Sequence, residues 1–272
     1  MSSRRFHDFG AQLSLGRRWP RMSLVLVLLV GGATGLSACL DDSPDGPNPL
    51  GSDLPADSDL PADEVPQVDQ VAAVAAAVDV RAAGCGPRVV FGTGTVIGGD
   101  LIITAAHVVA GTSEVEVIDT AAQRSAATVV MFDPDLDIAV LRPDTPIGAP
   151  VALRDARAEK DEAGIVVLPR LVDNLIETEV VDVRVLRPVN IQTTDIYLDR
   201  EVERLGFEID ASIEPGNSGA MVHLPGGGVG IVWAKSNERA DRAWAVNIPT
   251  AVSDSSAANS LSEPVDVGPC SN

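Results

Sequence analysis

Val89-Val90-Phe91-Gly92-Thr93-Gly94-Thr95-Val96-Ile97-Gly98-Gly99-Asp100-Leu101-Ile102-Ile103-Thr104-Ala105-Ala106-His107 is the stretch whose reading decides the fold of this chain. Val89–Phe91, Gly94–Ile97 and Leu101–Thr104 are short runs of β-branched and apolar residues. Glycine-rich turns separate them, Gly98-Gly99-Asp100 most clearly. A histidine follows directly on the last strand.

The same punctuation continues outward in both directions. Val78-Asp79-Val80-Arg81 alternates as a strand does. Further strands are expected at 114–118, 127–132, 138–141, 164–168, 179–186, 206–209, 220–223, 229–234 and 243–246. Val68 to Ala77 is Ala-rich and reads as a short helix. Many short strands and few helices place the chain in the all-β class, as a barrel or a sandwich. The 272 residues suffice for one domain of about 170–190 residues with tails. Only three Trp, one Tyr and five Phe occur, so Val, Ile and Ala must fill the core.

Charge excludes one class of partner. The formal net charge is −19, which opposes the binding of nucleic acid. Nine carboxylates and no Lys or Arg lie between Asp41 and Asp69. Six prolines are interleaved with them between Pro44 and Pro66, so residues 40–66 read as an extended, disordered spacer. Residues 1–39 read as an export address. Arg17, Arg18 and Arg21 precede the apolar run Ser23–Leu36, which is too short to span a membrane comfortably. The run ends in Leu36-Ser37-Ala38-Cys39, which resembles the bacterial lipobox. That resemblance implies a lipid on Cys39, an anchor in the cell membrane and a domain on its extracytoplasmic face. The alternative is an ordinary signal peptide with an incidental cysteine. Ser3-Arg4-Arg5 resembles a twin-arginine signal only in part, and the export route stays open.

If Cys39 carries lipid, Cys85 and Cys270 are left as an even pair. Export to an oxidising compartment favours a bridge between them, and two buried free thiols are the other reading.

Three islands carry the chemistry. His107 lies in Thr104–Val109, Asp137 in Asp135–Leu141 and Ser218 in Pro215–Ala220. Serine needs a base to take its proton, and the base needs an acid to fix its tautomer. Asp137 stands just before the apolar run Ile138–Leu141, where a carboxylate entering a core needs a hydrogen-bonding partner. Asp133 and Asp135 flank Pro134 and read as turn residues. Ser218 sits among small residues that let the backbone turn sharply, so that the N–H groups of Gly216 and Ser218 can serve as an oxyanion hole. Each island alone also suits a plain structural role; the weight lies in having all three in the order His, Asp, Ser.

Together with Gly92-Thr93-Gly94 and Asp210–Gly219, these islands resemble trypsin-like serine proteases of the bacterial HtrA/Deg type. Within that type they are most similar to periplasmic actinobacterial members. The resemblance covers about residues 70–250. It implies two perpendicular, antiparallel, six-stranded β barrels with short helices at the ends, and a site between them. It implies His107 as base, Asp137 as its orienting acid and Ser218 as nucleophile. Gly216 and Ser218 would form the oxyanion hole. A peptide or protein is the implied substrate, with no cofactor and no metal. The implied divisions are residues 67–253 for the protease domain and 254–272 for a tail. With 24 residues after Ile248, no PDZ domain is expected.

Departures from the family pattern are Ala220, in place of a second glycine after the serine, and Asn217, in place of an acid. Ala220 motivates the alternative of a protease fold that binds without turnover. Ser212, at the implied base of the primary pocket, carries no charge. Lys235 suggests a preference for acidic substrate residues, against the plainer reading of a solvated strand-end lysine.

Overall fold

The computed structural model describes residues 67–98, 100–249, 252 and 260–271. The export address, the lipidation candidate Cys39, the acidic spacer and the start of the tail lie outside the described residues.

A short helix opens the described chain. Asp69 caps α1 (Gln70–Ala76): its carboxylate accepts the Ala72 N–H at 2.9 Å, satisfying one orphan donor of the first turn. Ala73 and Ala76 face inward and are fully buried. Six strands follow: β1 (Ala77–Gly84), β2 (Gly86–Ile97), β3 (Leu101–Thr104), β4 (Glu114–Asp119), β5 (Arg124–Asp133) and β6 (Ile138–Pro143). A single-turn helix, α2 (Ala106–Val109), sits between β3 and β4. Six more strands follow: β7 (Ala163–Val172), β8 (Leu175–Thr194), β9 (Glu201–Asp210), β10 (Met221–Leu224), β11 (Gly227–Lys235) and β12 (Arg242–Asn247).

The first six strands close a barrel in the order β1-β2-β3-β6-β5-β4, and the last six close another in the order β10-β11-β12-β9-β8-β7. All strand pairs within the barrels are antiparallel. Counting strands from the start of each barrel, both rings read 1-2-3-6-5-4. The two halves therefore share one topology, which closure achieves without leaving a free sheet edge. The connection from third to fourth strand carries α2 in the first barrel and residues 211–220 in the second. Equivalent corners of the two barrels thus present the histidine and the serine.

Val, Ile, Leu and Ala fill the first barrel, with Ile102, Ile103, Ile138, Val140 and Leu141 all fully buried. Phe207, Ile209, Val222 and Val232 do the same in the second. Burial of such side chains contributes about 1.5–3 kcal/mol each.

Two strand expectations need correction. Gly92-Thr93-Gly94 does not break a strand; β2 runs unbroken from Gly86 to Ile97. Strands β8 and β9 are much longer than residues 179–186 and 206–209. Their extensions are held by polar cross-strand pairs, such as Arg187 with Glu208 at 2.8 Å, and a bulge between Val185 and Arg187 shifts the register ahead of Pro188. Val189, Ile191 and Val202 are half-buried while Asn190, Gln192, Glu201 and Glu203 are exposed, so few apolar residues carry the alternation of this ribbon.

Residues 260–271 return to the first barrel. Val265 N–H donates to Val129 O at 3.0 Å, and Gly111 N–H to Val267 O at 3.0 Å. Cys85 and Cys270 are bridged, with their Cα atoms 5.6 Å apart across 185 residues of sequence. No described helix is long and apolar enough to cross a membrane.

Candidate active site

His107 lies on α2, directly after the buried strand β3. Asp137 ends the β5–β6 turn. That turn is built by Asp133, whose Oδ1 accepts the N–H groups of Asp135 (3.0 Å) and Leu136 (2.9 Å). Asp133 is therefore a turn builder, as its place beside Pro134 suggests. Asp135 faces solvent and pairs with Arg200. Asp137 adopts φ +59°, a left-handed conformation that Asp tolerates better than most side chains. It is 2% exposed, and both carboxylate oxygens face His107. Oδ1 accepts the His107 backbone N–H at 2.9 Å, and Oδ2 lies 2.8 Å from the ring Nδ1. A carboxylate there only accepts, so Nδ1 carries the proton and Nε2 is left as the basic nitrogen.

The serine island is a turn with defined bonding. Asn217 N–H donates to Glu214 O at 3.0 Å, and the Asn217 side-chain oxygen accepts the Glu214 N–H at 2.7 Å. Pro215 and Gly216 (φ +100°) occupy the central positions, the sequence and backbone sign of a type II turn. Gly219 N–H donates to Val232 O at 2.7 Å, and Ala220 N–H to Asn217 O at 3.1 Å. The N–H groups of Gly216 and Ser218 donate to no described residue. Four N–H groups of the turn are thus consumed by folding, and the two expected at an oxyanion hole have no partner among the described residues.

The first barrel grips this turn. Thr93 N–H donates to Ser218 O at 2.8 Å, and the Thr93 hydroxyl to Gly216 O at 3.1 Å. The Thr104 hydroxyl in turn donates to Thr93 O at 2.8 Å. A Cβ on Gly219 would fall 2.2 Å from Thr93 O and 2.8 Å from Ala105 N, so only glycine permits this approach to the strand that leads to His107. Val108 and Ser218 flank one glycine. A point one bond out from Gly92 lies 2.7 Å from both Val108 methyls and 3.2 Å from Ser218 O. Histidine and serine islands are thereby brought to one seam between the barrels.

Ala220 does not disturb the turn. It is fully buried in the second barrel's core, so its extra methyl packs away from the seam. Lys235 Nζ lies 3.2 Å from Glu214 Oε2, so the solvated lysine already has an acid of its own chain. Ser212, Glu214, Pro215, Gly216 and Asn217 line a cleft of about 700 Å³ with Phe91 and Gly92 of the first barrel. Among the described residues no cluster of three or more His, Cys, Asp or Glu is arranged to hold a metal.

Residues 92–229 match the model of a trypsin-like peptidase domain, half of the chain. The chain belongs to the trypsin-like peptidase family. It is 33% identical over 187 residues to serine protease Rv3671c of Mycobacterium tuberculosis strain H37Rv, covering 67% of this chain and 45% of that protein. The same figures hold for serine protease MT3772 of strain CDC 1551. The chain thus spans about half the length of the curated relatives it matches. Among solved structures, the active form of Rv3671c superposes with a TM-score of 0.65 at 27% identity, over 74% of this chain and 88% of that one. Its inactive form gives 0.55 over 65% and 85%. The HtrA-type protease AlgW, at 19% identity and a TM-score of 0.55 over 68% of this chain and 63% of that one, shares the fold. The family and the all-β, two-barrel expectation therefore stand.

Sequence reading missed three side chains that build the site. Thr93 and Thr104 lie in stretches that carry the family resemblance, but nothing in the chain marks their hydroxyls as donors across the seam. Arg204 is a charged residue at an inward position of β9, 2% exposed.

Proposed function

We propose that this chain is an exported, lipid-anchored serine endopeptidase in which His107, Asp137 and Ser218 act as a triad. Ser218 Oγ attacks the scissile carbonyl carbon while His107 Nε2 takes its proton. Asp137 holds the ring through Nδ1 and stabilises the imidazolium that forms. The carbonyl oxygen gains negative charge at the free N–H groups of Gly216 and Ser218, where one lost donor costs about 3–4 kcal/mol of transition-state stabilisation. Protonated His107 then hands its proton to the departing amine. Water, deprotonated by His107, releases the acyl group from Ser218.

The observation that carries this reading is the two-point clasp of Asp137 on His107, at 2.9 and 2.8 Å, at the seam that also holds a serine turn whose Gly216 and Ser218 N–H groups have no partner among the described residues. The greater likeness to the active form of Rv3671c than to its inactive form is consistent with it. The substrate is a peptide or protein threaded along the cleft at Gly216 and Phe91. Uncharged Ser212 and the Lys235–Glu214 pair argue against selection of a charged residue. The anchor rests on Leu36-Ser37-Ala38-Cys39, and the Cys85–Cys270 bridge fits an oxidising compartment.

A fluorophosphonate probe tests the chemistry: it should label the wild type and spare Ser218→Ala and His107→Ala. Equal labelling of Ser218→Ala, or none of the wild type at any pH, refutes the triad. Metabolic palmitate labelling lost in Cys39→Ser tests the anchor; retained labelling refutes it.

A further inference from the structure

Asp137 is a buried carboxylate that, among the described residues, accepts hydrogen bonds from His107, at its backbone N–H and its ring Nδ1. Among the described residues no Lys or Arg pairs with it. A buried charge needs compensation, and hydrogen bonds from a neutral imidazole and an amide supply only part. Across the backbone of the same turn lies the mirror problem. Arg204, on β9 of the other barrel, is 2% exposed. Its Nε donates to Asp135 O at 2.6 Å and its Nη2 to Thr194 O at 3.3 Å, both neutral carbonyls. Its guanidinium stacks on Trp233, 4.5 Å from the ring centroid.

We propose that Arg204 is the positioning residue of the catalytic acid, clamping the Asp133–Asp137 turn through the Asp135 carbonyl and serving as the through-space counter-charge of Asp137. This rests on the peptidase reading of the site.

The other charged groups nearby are already engaged. Asp135 and Asp195 share Arg200 on the surface side. Asp195 also accepts the N–H groups of Tyr197 and Asp199, each at 3.0 Å. Asp133 holds its own turn. That leaves Asp137 and Arg204 as the unmatched pair. Burial pulls the Arg204 guanidinium below its usual range, and Asp137 leads the four carboxylates that pull it back, ahead of Asp133, Asp135 and Asp195. Trp233 extends the clamp to the nucleophile. It packs against the first barrel's core, and its neighbour Val232 accepts Gly219 N–H and donates to Ala220 O. One buried cation thus ties the acid's turn to the strand that braces the serine turn.

The test is the rate of fluorophosphonate labelling as a function of pH, whose acid limb reports the pKa of the base in the free enzyme. A cation that serves as counter-charge to Asp137 opposes a second positive charge beside that carboxylate. In Arg204→Met the acid limb should therefore move to higher pH by about half a unit or more, and the plateau rate should fall roughly 10–100-fold. Arg204→Lys keeps the charge and loses the forked donor. Its limb should stay in place while its plateau falls about 3–10-fold. An Arg204→Met limb that is unmoved or shifted to lower pH overturns the proposal. So does an Arg204→Lys plateau equal to that of the wild type, which decides the matter even if the Met variant fails to fold. Failure of the wild type to label is a different result and refutes the peptidase reading instead.

Discussion

Lowering the pH from 7 to 5 should cost the folded protein about 2 kcal/mol through one side chain, His223. It sits on β10 between Ile165 of β7 and Gly228 of β11 and is 2% exposed. Burial alone drives its pKa from 6.5 down to about 4. The folded value is the lower one, so between pH 4 and 6.5 the unfolded chain binds more protons. Stability is full above pH 6.5 and is lost as the pH falls toward 4. The full shift corresponds to about 3 kcal/mol, and the part realised by pH 5 is about 2. The assay is urea unfolding, followed by Trp fluorescence, of the inactive Ser218→Ala protein at pH 7, 6 and 5, with and without His223→Gln. The glutamine carries no proton in this range, so it removes the linkage while carboxylate titration stays common to both. Parent stability should fall about 2 kcal/mol more than that of the His223→Gln protein. Parallel curves, agreeing within about 0.5 kcal/mol, would refute the reasoning.

Three further outcomes are expected. Gly219→Ala should lose at least about 100-fold in labelling rate, because the new methyl meets Thr93 O at 2.2 Å and forces the serine turn off the first barrel; a stopped-flow labelling assay checks this. Asp137→Asn should lower the labelling rate by up to about 10⁴-fold, since its amide turns the His107 tautomer the wrong way. Opening the Cys85–Cys270 bridge removes a loop constraint across 185 residues and should destabilise the domain by at most about 5 kcal/mol, read as a lower midpoint in urea for the Cys85→Ser, Cys270→Ser protein.

Much of this site was legible in the chain. The run 89–107 announces closely spaced strands because β-branched residues and glycine turns are local signals. The order and settings of His107, Asp137 and Ser218 survive translation into sequence because each must sit at a strand end or in a tight turn. Asp133 could be assigned to its turn from Pro134 alone. The extensions of β8 and β9 were hidden, since Val189, Ile191 and Val202 are too few apolar residues to carry a period on their own.

What the sequence determined by itself is therefore the chemistry and its local stage: a histidine after a buried strand, an acid entering a core, a serine in a turn of small residues. Only the tertiary structure decided how these act on one another. Gly219 is required by a carbonyl 126 residues earlier in the chain, Ala220 is harmless because its methyl faces a core, and Asp137 lies across its turn from a buried arginine of the other barrel. Such facts depend on charges and surfaces meeting at the seam between two barrels, where separation along the chain no longer measures distance.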